Sequence, residues 1–288
     1  MTEPKSPLKW LAQVAPTFGV TVHGTESPAT AEVSVPRADG DLYGFQLELS
    51  EAGCSVSVRE QNAALLPTFC PDRHINSGGW FCLGWGSTAP PEVVDAASAN
   101  DWWTIVIRFL QLQLTANELG AWINGDGDWA HGDAAKHQRD AEALAERLGE
   151  RFLDDLRRGD FHLRQEKKRG SVRLDLQRGA RHVARLHLGA DKIIGTKRPC
   201  PCDTQQAAPL DQCADHVVVL REFIEQLYLW RRKEAQFFRN LAQAGSTCCG
   251  KLRKCGLQAA VAKHQESKKT GASHARPPRR VYGPRRRK

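Results

Sequence analysis

Hydrophobic and polar positions in the first part of the chain follow two rhythms. Residues 7–14 (PLKWLAQV) make a short apolar block at helical spacing, with Ser6 placed as its cap and Pro7 in its first turn, where a missing amide donor costs nothing. Four stretches that alternate residue by residue follow: Phe18–His23, Ala31–Val35, Leu42–Leu49 and Cys54–Arg59. Turn-forming runs such as ADGD and SEAG separate them, which predicts an antiparallel meander. Residues 63–86 (AALLPTFCPDRHINSGGWFCLGWG) are rich in Pro and Gly and keep neither period, so a long ordered loop is expected there.

Helical spacing then returns. Asp101 stands as a cap for a helix over 102–119, where Trp103, Val106, Phe109, Leu110 and Leu114 share a face. Ile105, Ile107 and Leu112 make this segment apolar nearly all round, the pattern of a buried helix, and Gly120 is a natural stop. After the loop INGDGDWAHGD, residues 134–158 form one amphipathic helix with Ala141, Leu144, Leu148 and Phe152 on its apolar side. Residues 161–195 revert to strand patterns broken at glycines. Residues 216–244 form a strong helix through Val217, Leu220, Phe223, Leu227 and Trp230. The fold class is therefore α+β: a meander flanked by helices, then a smaller α/β region. The organisation expected is a domain over 1–158, a cysteine-rich domain over 159–264, and a disordered basic tail over 265–288.

Charge sharpens this division. The chain of 288 residues has a formal net charge of +8, and nine of its 41 Lys/Arg but one of its 33 Asp/Glu fall after residue 264. The body is thus neutral, and the high isoelectric point belongs to the tail. Arg276, Arg279, Arg280, Arg285, Arg286, Arg287 and Lys288, with Tyr282 among them, suit nucleic acid or an acidic protein face, or form a solvated terminus. No apolar run reaches the length of about 18 residues needed for a membrane span, and the start MTEPKSPLKW has no signal-peptide core. The cytoplasm is the expected compartment.

Nine cysteines fall into two sets: Cys54, Cys70 and Cys82, then Cys200, Cys202, Cys213, Cys248, Cys249 and Cys255. A reducing compartment favours metal ligands or catalytic thiols over disulfides. In the first set, Cys82 follows a glycine-rich turn and lies six residues beyond Asn76. Acyl transfer through sulfur needs a thiolate and a donor aimed at the oxyanion, and an Asn amide donates without titrating. The competing reading is a small buried hydrophobe. Another uses Cys70, His74 and Cys82 as metal ligands, with Cys54 as a possible fourth. His131 and Asp133 lie in a later loop. Asp133 either orients an incoming amine or caps the helix that starts at Ala134.

The second set offers Cys200, Cys202, Cys213 and His216, three thiolates and an imidazole that suit tetrahedral zinc. Cys248, Cys249 and Cys255, with His264 beyond, offer more, and the intervening helix is placed to bring both groups into one shared structural site. Ordinary buried or exposed thiols are the plainer alternative. Both segments, RPCPCDTQQAAPLDQC and TCCGKLRKCG, resemble weakened forms of the SEC-C zinc motif.

His74-Ile75-Asn76, Gly78-Gly79 and Phe81-Cys82-Leu83, followed by Trp102 or Trp103 and the helix IVIRFLQLQL, resemble the ubiquitin-conjugating enzymes, which carry His-Pro-Asn shortly before the catalytic cysteine. The likeness covers roughly residues 1–155. Ile75 replaces the proline, the Asn-to-Cys spacing is shorter, and residues 84–100 are longer than the usual stretch, as in a divergent bacterial-type member with an associated cysteine-rich region. The resemblance implies that Cys82 is the thioester cysteine, Asn76 the oxyanion or lysine-orienting amide, and His74 a support for their loop. It implies a ubiquitin-like modifier and an adenylating activating enzyme as partners. A non-catalytic module that binds such a modifier, docked through a zinc-stabilised region, is the rival; a nucleic-acid-binding zinc protein is the third possibility.

Overall fold

A computed structural model describes residues 5–37, 39–84, 89–123, 130–168, 170–203 and 208–273. Mixed helix and antiparallel sheet make up the chain. Helix α1 (Pro7–Val14) begins as expected: the Ser6 side chain accepts from the Lys9 amide. Strands β1 (Val20–His23), β2 (Ala29–Pro36), β3 (Leu42–Ala52) and β4 (Ser55–Glu60) form a meander in chain order, antiparallel throughout. Alternation in β2 and β4 puts Ala29, Ala31, Val33, Val35, Val56 and Val58 inside. Against that face lies α2 (Ala96–Leu119), whose buried Trp102 and Trp103 donate their ring N–H groups to the carbonyls of Val56 and Leu11. Each indole is thereby satisfied in the core, and each ties the helix to a different neighbour.

Helix α2 starts earlier than the sequence reading placed it. Asp95, not Asp101, is the cap, and it forms a reciprocal capping box with Ser98. Asp101 lies within the second turn, exposed. The stop at Gly120, in the left-handed region at φ 59°, is as expected.

The segment 134–158 is two helices, α3 (Ala134–Leu148) and α4 (Glu150–Arg157), broken at Gly149. Its φ of 127° suits glycine, and a Cβ there would stand 2.3 Å from Asp203 Oδ2. The break lets Asp203 dock: its carboxylate accepts from the Arg151 amide at 2.7 Å, and its own amide donates to the Leu148 carbonyl at 3.2 Å. Gly149→Ala is expected to cost more than about 2 kcal/mol in a urea melt, because clash adds to backbone strain. Gly159→Ala, at φ 79° with open space around the added carbon, is the control and should cost about 1 kcal/mol. Equal losses would show that the clash is relieved.

Strands β5 (Phe161–Lys168), β6 (Ser171–Arg178), β7 (Arg181–His187) and β8 (Lys192–Ile194) form a second antiparallel sheet, again in chain order. Helix α5 (His216–Gln243) buries Val219, Leu220, Phe223, Ile224 and Leu227 against it. Phe152, Phe161 and Phe223 meet at ring separations of 4.5 to 5.5 Å. Leu148, Phe152 and Leu156 of α3 and α4 join this second core, not the first. The far end of α5 returns to the first core through Phe238 and Ala242.

Helix α6 (Gly256–Ser273) was not foreseen, and it overturns a disordered tail from residue 265 onward: residues 265–273 are helical. The arginine string from Arg276 to Lys288 lies outside the described residues, as does the middle of the loop, 124–129. Among the described residues, no helix is long and apolar enough to cross a membrane.

Candidate functional site

The loop after β4 is built as an extension of the first sheet. Trp80 bridges Arg59 of β4, and the Phe81 amide donates to the Val58 carbonyl at 2.9 Å. Phe81 bridges Ile75, and Ile75 bridges Cys70, with bonds of 2.9 and 3.0 Å between the last pair. Three short extended pieces thus continue the sheet, with Ile75 central and buried. The tight turn Ser77–Gly79 joins two of them, and it needs glycine because Gly78 and Gly79 have φ 78° and 82°.

Register places the chemistry. Asn76 faces Trp80, since its amide donates to the Trp80 carbonyl at 2.8 Å; His74 faces Cys82, whose amide donates to the His74 carbonyl at 2.7 Å. Strand alternation then sets Asn76, Trp80 and Cys82 on the side opposite the buried Ile75 and Phe81. Asn76 is exposed and Cys82 half-buried. The Asn76 amide makes no hydrogen bond to Cys82 among the described residues. Burial pushes the Cys82 thiol up, and a hydrogen bond donated by the Gly84 backbone amide to the sulfur partly opposes this. On the same side, Arg59 stacks on Trp80 with its charge 4.6 Å from the ring, pairs with both carboxylate oxygens of Glu48 at 2.8 Å, and donates to the Gly78 carbonyl at 3.3 Å. A cleft of about 290 Å³ opens at the turn, lined by Arg59, Leu66, Thr68, Gly78 and Gly79 among others; Cys82 is not in its wall.

Behind this hairpin the loop is locked from both sides. The fully buried Arg73 guanidinium donates to the side chain and carbonyl of Gln113 on α2 at 2.8 and 3.0 Å, and the Gln113 amide returns a bond to the Arg73 carbonyl at 2.6 Å. Glu60 accepts from the Leu65 and Leu66 amides.

His74 enters a column of rings. It stacks on His131 at 5.3 Å, with Trp122 at 5.4 Å, and His131 stacks on Phe237 of α5 at 4.8 Å. Both ring nitrogens of His131 face acceptors: Nδ1 meets Glu234 Oε1 at 2.6 Å and Nε2 meets the Pro71 carbonyl at 2.8 Å. A carbonyl cannot donate, so both bonds are best satisfied by an imidazolium. Burial opposes that charge, but the Glu234 carboxylate outweighs it and raises the His131 pKa. For His74 the balance is reversed. Burial, with the adjacent His131 charge, lowers it to about 4, so its imidazole is neutral at physiological pH.

Asp133 occupies the cap position of α3, but its side chain bonds the Lys233 ammonium at 3.1 Å instead of the helix. Glu234 and Phe237 escaped sequence reasoning: they sit about a hundred residues from His131, on a helix whose pattern shows only its core face.

The second constellation closes as spacing suggested. Cys200, Cys202, Cys213 and His216 bring three sulfurs and one ring nitrogen within 4.8 Å of one another. His216 Nδ1 lies 3.3 Å from the sulfurs of both Cys200 and Cys213, and Cys202 and Cys213 are 3.7 Å apart. Tetrahedral ligation with metal–sulfur bonds of about 2.3 Å gives edges of about 3.6 to 3.8 Å, so the donors fit a four-coordinate metal. Without one, burial and the neighbouring thiols push Cys200 up to about 12. Cys248, Cys249 and Cys255 do not join this group. They pack against the first core, so the shared site expected from sequence does not form. Cys54 is exposed and belongs to neither.

Residues 18–124 match the family model of the prokaryotic E2 domain, and residues 130–257 match that of the cysteine-rich domain C-terminal to the E2 domain. The chain is similar to a bacterial E2 with its cysteine-rich companion. The E2-like match encloses Asn76 and Cys82; the cysteine-rich match begins just before His131 and encloses the metal donors and Glu234. No curated protein and no solved structure matches the chain.

Proposed function

We propose that the chain accepts a ubiquitin-like modifier as a thioester on Cys82 and passes it to an amine. The observation that carries this reading is the hairpin register, which supports a half-buried Cys82 and Asn76 lying on one side of a sheet extension within an E2-like domain. The Cys82 thiolate attacks the modifier's C-terminal carbonyl, held as a thioester on its adenylating, activating enzyme. A new S–C bond forms, the donor's sulfur leaves, and it takes up the proton that Cys82 lost. An amine then displaces Cys82 in the same way. The Asn76 amide supports the oxyanion in the second step, when the amine attacks. His74 supports the loop, stacked as a neutral imidazole on His131. The Cys200, Cys202, Cys213 and His216 donors hold zinc in a closed, structural site. We place the division between the two domains at 124–130, ahead of α3, where the two family matches part.

Full-length protein incubated with activating enzyme, ATP and modifier should give an adduct that thiol reductant removes. Cys82→Ala should give none, and an adduct undiminished in Cys82→Ala would refute the assignment. Asn76→Ala should charge normally but discharge to a free amine at least about tenfold more slowly. One observation favours a second reading, a non-catalytic binding module: burial holds the Cys82 thiol protonated. Modifier binding without any adduct would select it.

A further inference from the structure

The three cysteines left over from the closed site have a partner in the first domain. Cys249 Sγ lies 3.2 Å from Cys70 Sγ, and Cys248 Sγ lies 2.9 Å from Cys255 Sγ. Asp72, two residues beyond Cys70, meets the second pair: one carboxylate oxygen is 3.1 Å from Cys255 Sγ, and the other accepts from the Gly256 amide at 3.0 Å. Cys70 and Cys255 are buried, and Cys248 and Cys249 half-buried. Two thiol pairs and a carboxylate therefore meet where residues 70–72 face residues 248–256.

One neighbouring cation bears on this group: the buried Arg73 guanidinium, bonded to Gln113, is favoured by charge on Cys70 and Cys249, but a single positive charge cannot neutralise four thiolates. Lys251 donates to the Leu65 carbonyl. Backbone amides instead point at the sulfurs: Gly250 at Cys248 (3.3 Å), Arg73 at Cys70 and Gln258 at Cys255. Amide-to-sulfur bonds favour thiolates, while burial and the paired thiols push Cys70 and Cys255 up; soft sulfurs gathered inside a protein suit a metal that takes the place of their protons. Gly250, at φ 72°, turns the chain just after the adjacent pair Cys248 and Cys249, as a ligand loop requires.

We propose that Cys70, Cys248, Cys249 and Cys255 bind a second zinc ion, which staples the E2-like domain to the cysteine-rich domain, with Asp72 as an outer partner that orients Cys255. The sulfurs stand as two pairs, not as one closed set, so an ion entering between them would draw the pairs together and open each toward an edge of about 3.8 Å. The site has a consequence for the hairpin. Cys70 is bonded in both directions to Ile75, and Ile75 bridges Phe81, the neighbour of Cys82. A metal at Cys70 would anchor the back of the strand set whose front carries the sulfur. This proposal does not depend on thioester chemistry.

The test is a metal count on the full-length chain purified under reducing conditions. Two zinc ions per chain are expected, with X-ray absorption showing an average of more than three sulfur ligands per zinc. Cys70→Ala and Cys249→Ala should each hold one. A single zinc in the unmutated chain overturns the proposal, and a peptide map showing a Cys70–Cys249 disulfide beside that single zinc would name what forms instead. Two zincs in the unmutated chain, still two in both folded variants, would equally overturn it. The sulfur average on the unmutated chain keeps the test decisive if either variant fails to fold.

Discussion

Replacing His216 or Cys213 by alanine is expected to unfold the second core, with loss of its cooperative melt. His216 is the first residue of α5, and the helix buries Val219, Leu220, Phe223, Ile224 and Leu227 in the turns that follow. The donors therefore fix where α5 begins and how the loop from Cys200 to Cys213 closes over that core. Structural zinc contributes about 10–16 kcal/mol at neutral pH in small domains. Net stability of a whole domain is about 5–15 kcal/mol, so losing a zinc ion held there would remove an amount comparable to all that the fold holds in reserve. Hydrogen exchange should rise throughout β5–β8, while the amides of β2 and β3 keep their protection. A strong chelator should reproduce the variant. An unaltered melt in metal-free His216→Ala would show that the four donors are structurally idle.

Stability is expected to peak near pH 6.5, because the two stacked histidines titrate in opposite directions. His74 has a folded pKa of about 4, below its unfolded value of about 6.5. As pH falls through that interval the unfolded chain binds a proton that the folded chain refuses, and about 3 kcal/mol is lost by pH 4. His131 has a raised folded pKa. Its contribution is complete below pH 6.5 and is lost as pH rises through the folded value. Glu234→Gln should flatten the alkaline limb, and His74→Gln the acid limb, in denaturant melts taken from pH 4 to 9. An unchanged acid limb in His74→Gln would show that other groups set it.

Local order was legible where one period dominates. Ser6 and Pro7 announced α1, and alternation announced the meander and the second sheet. The start of α2 was missed because Ala96–Asn100 are small or polar and the Asp95–Ser98 capping box is not the usual Ser/Thr-x-x-Glu form, so Asp101 beside the tryptophans drew the boundary. The break at Gly149 was hidden because apolar spacing continues on either side of it. Helix α6 carries too weak an apolar face among its lysines to stand apart from the tail. In the candidate site, Asn76, Cys82 and the donors from Cys200 to His216 were visible because each set is local. His131 with Glu234, and Cys70 with Cys249, depend on tertiary approach across a hundred residues or more, which no spacing encodes.

The reach of Phe237 and Glu234 from α5 to the imidazole of His131 bears on how the protein is handled. A fragment ending at Ile123 would carry the candidate nucleophile yet lack one wall of its surroundings, leaving His74 and Trp122 bare to water. Halves exchanged between distant relatives should fit poorly for the same reason. Two modules by family match, with separate cores, the halves share the surroundings of one imidazole.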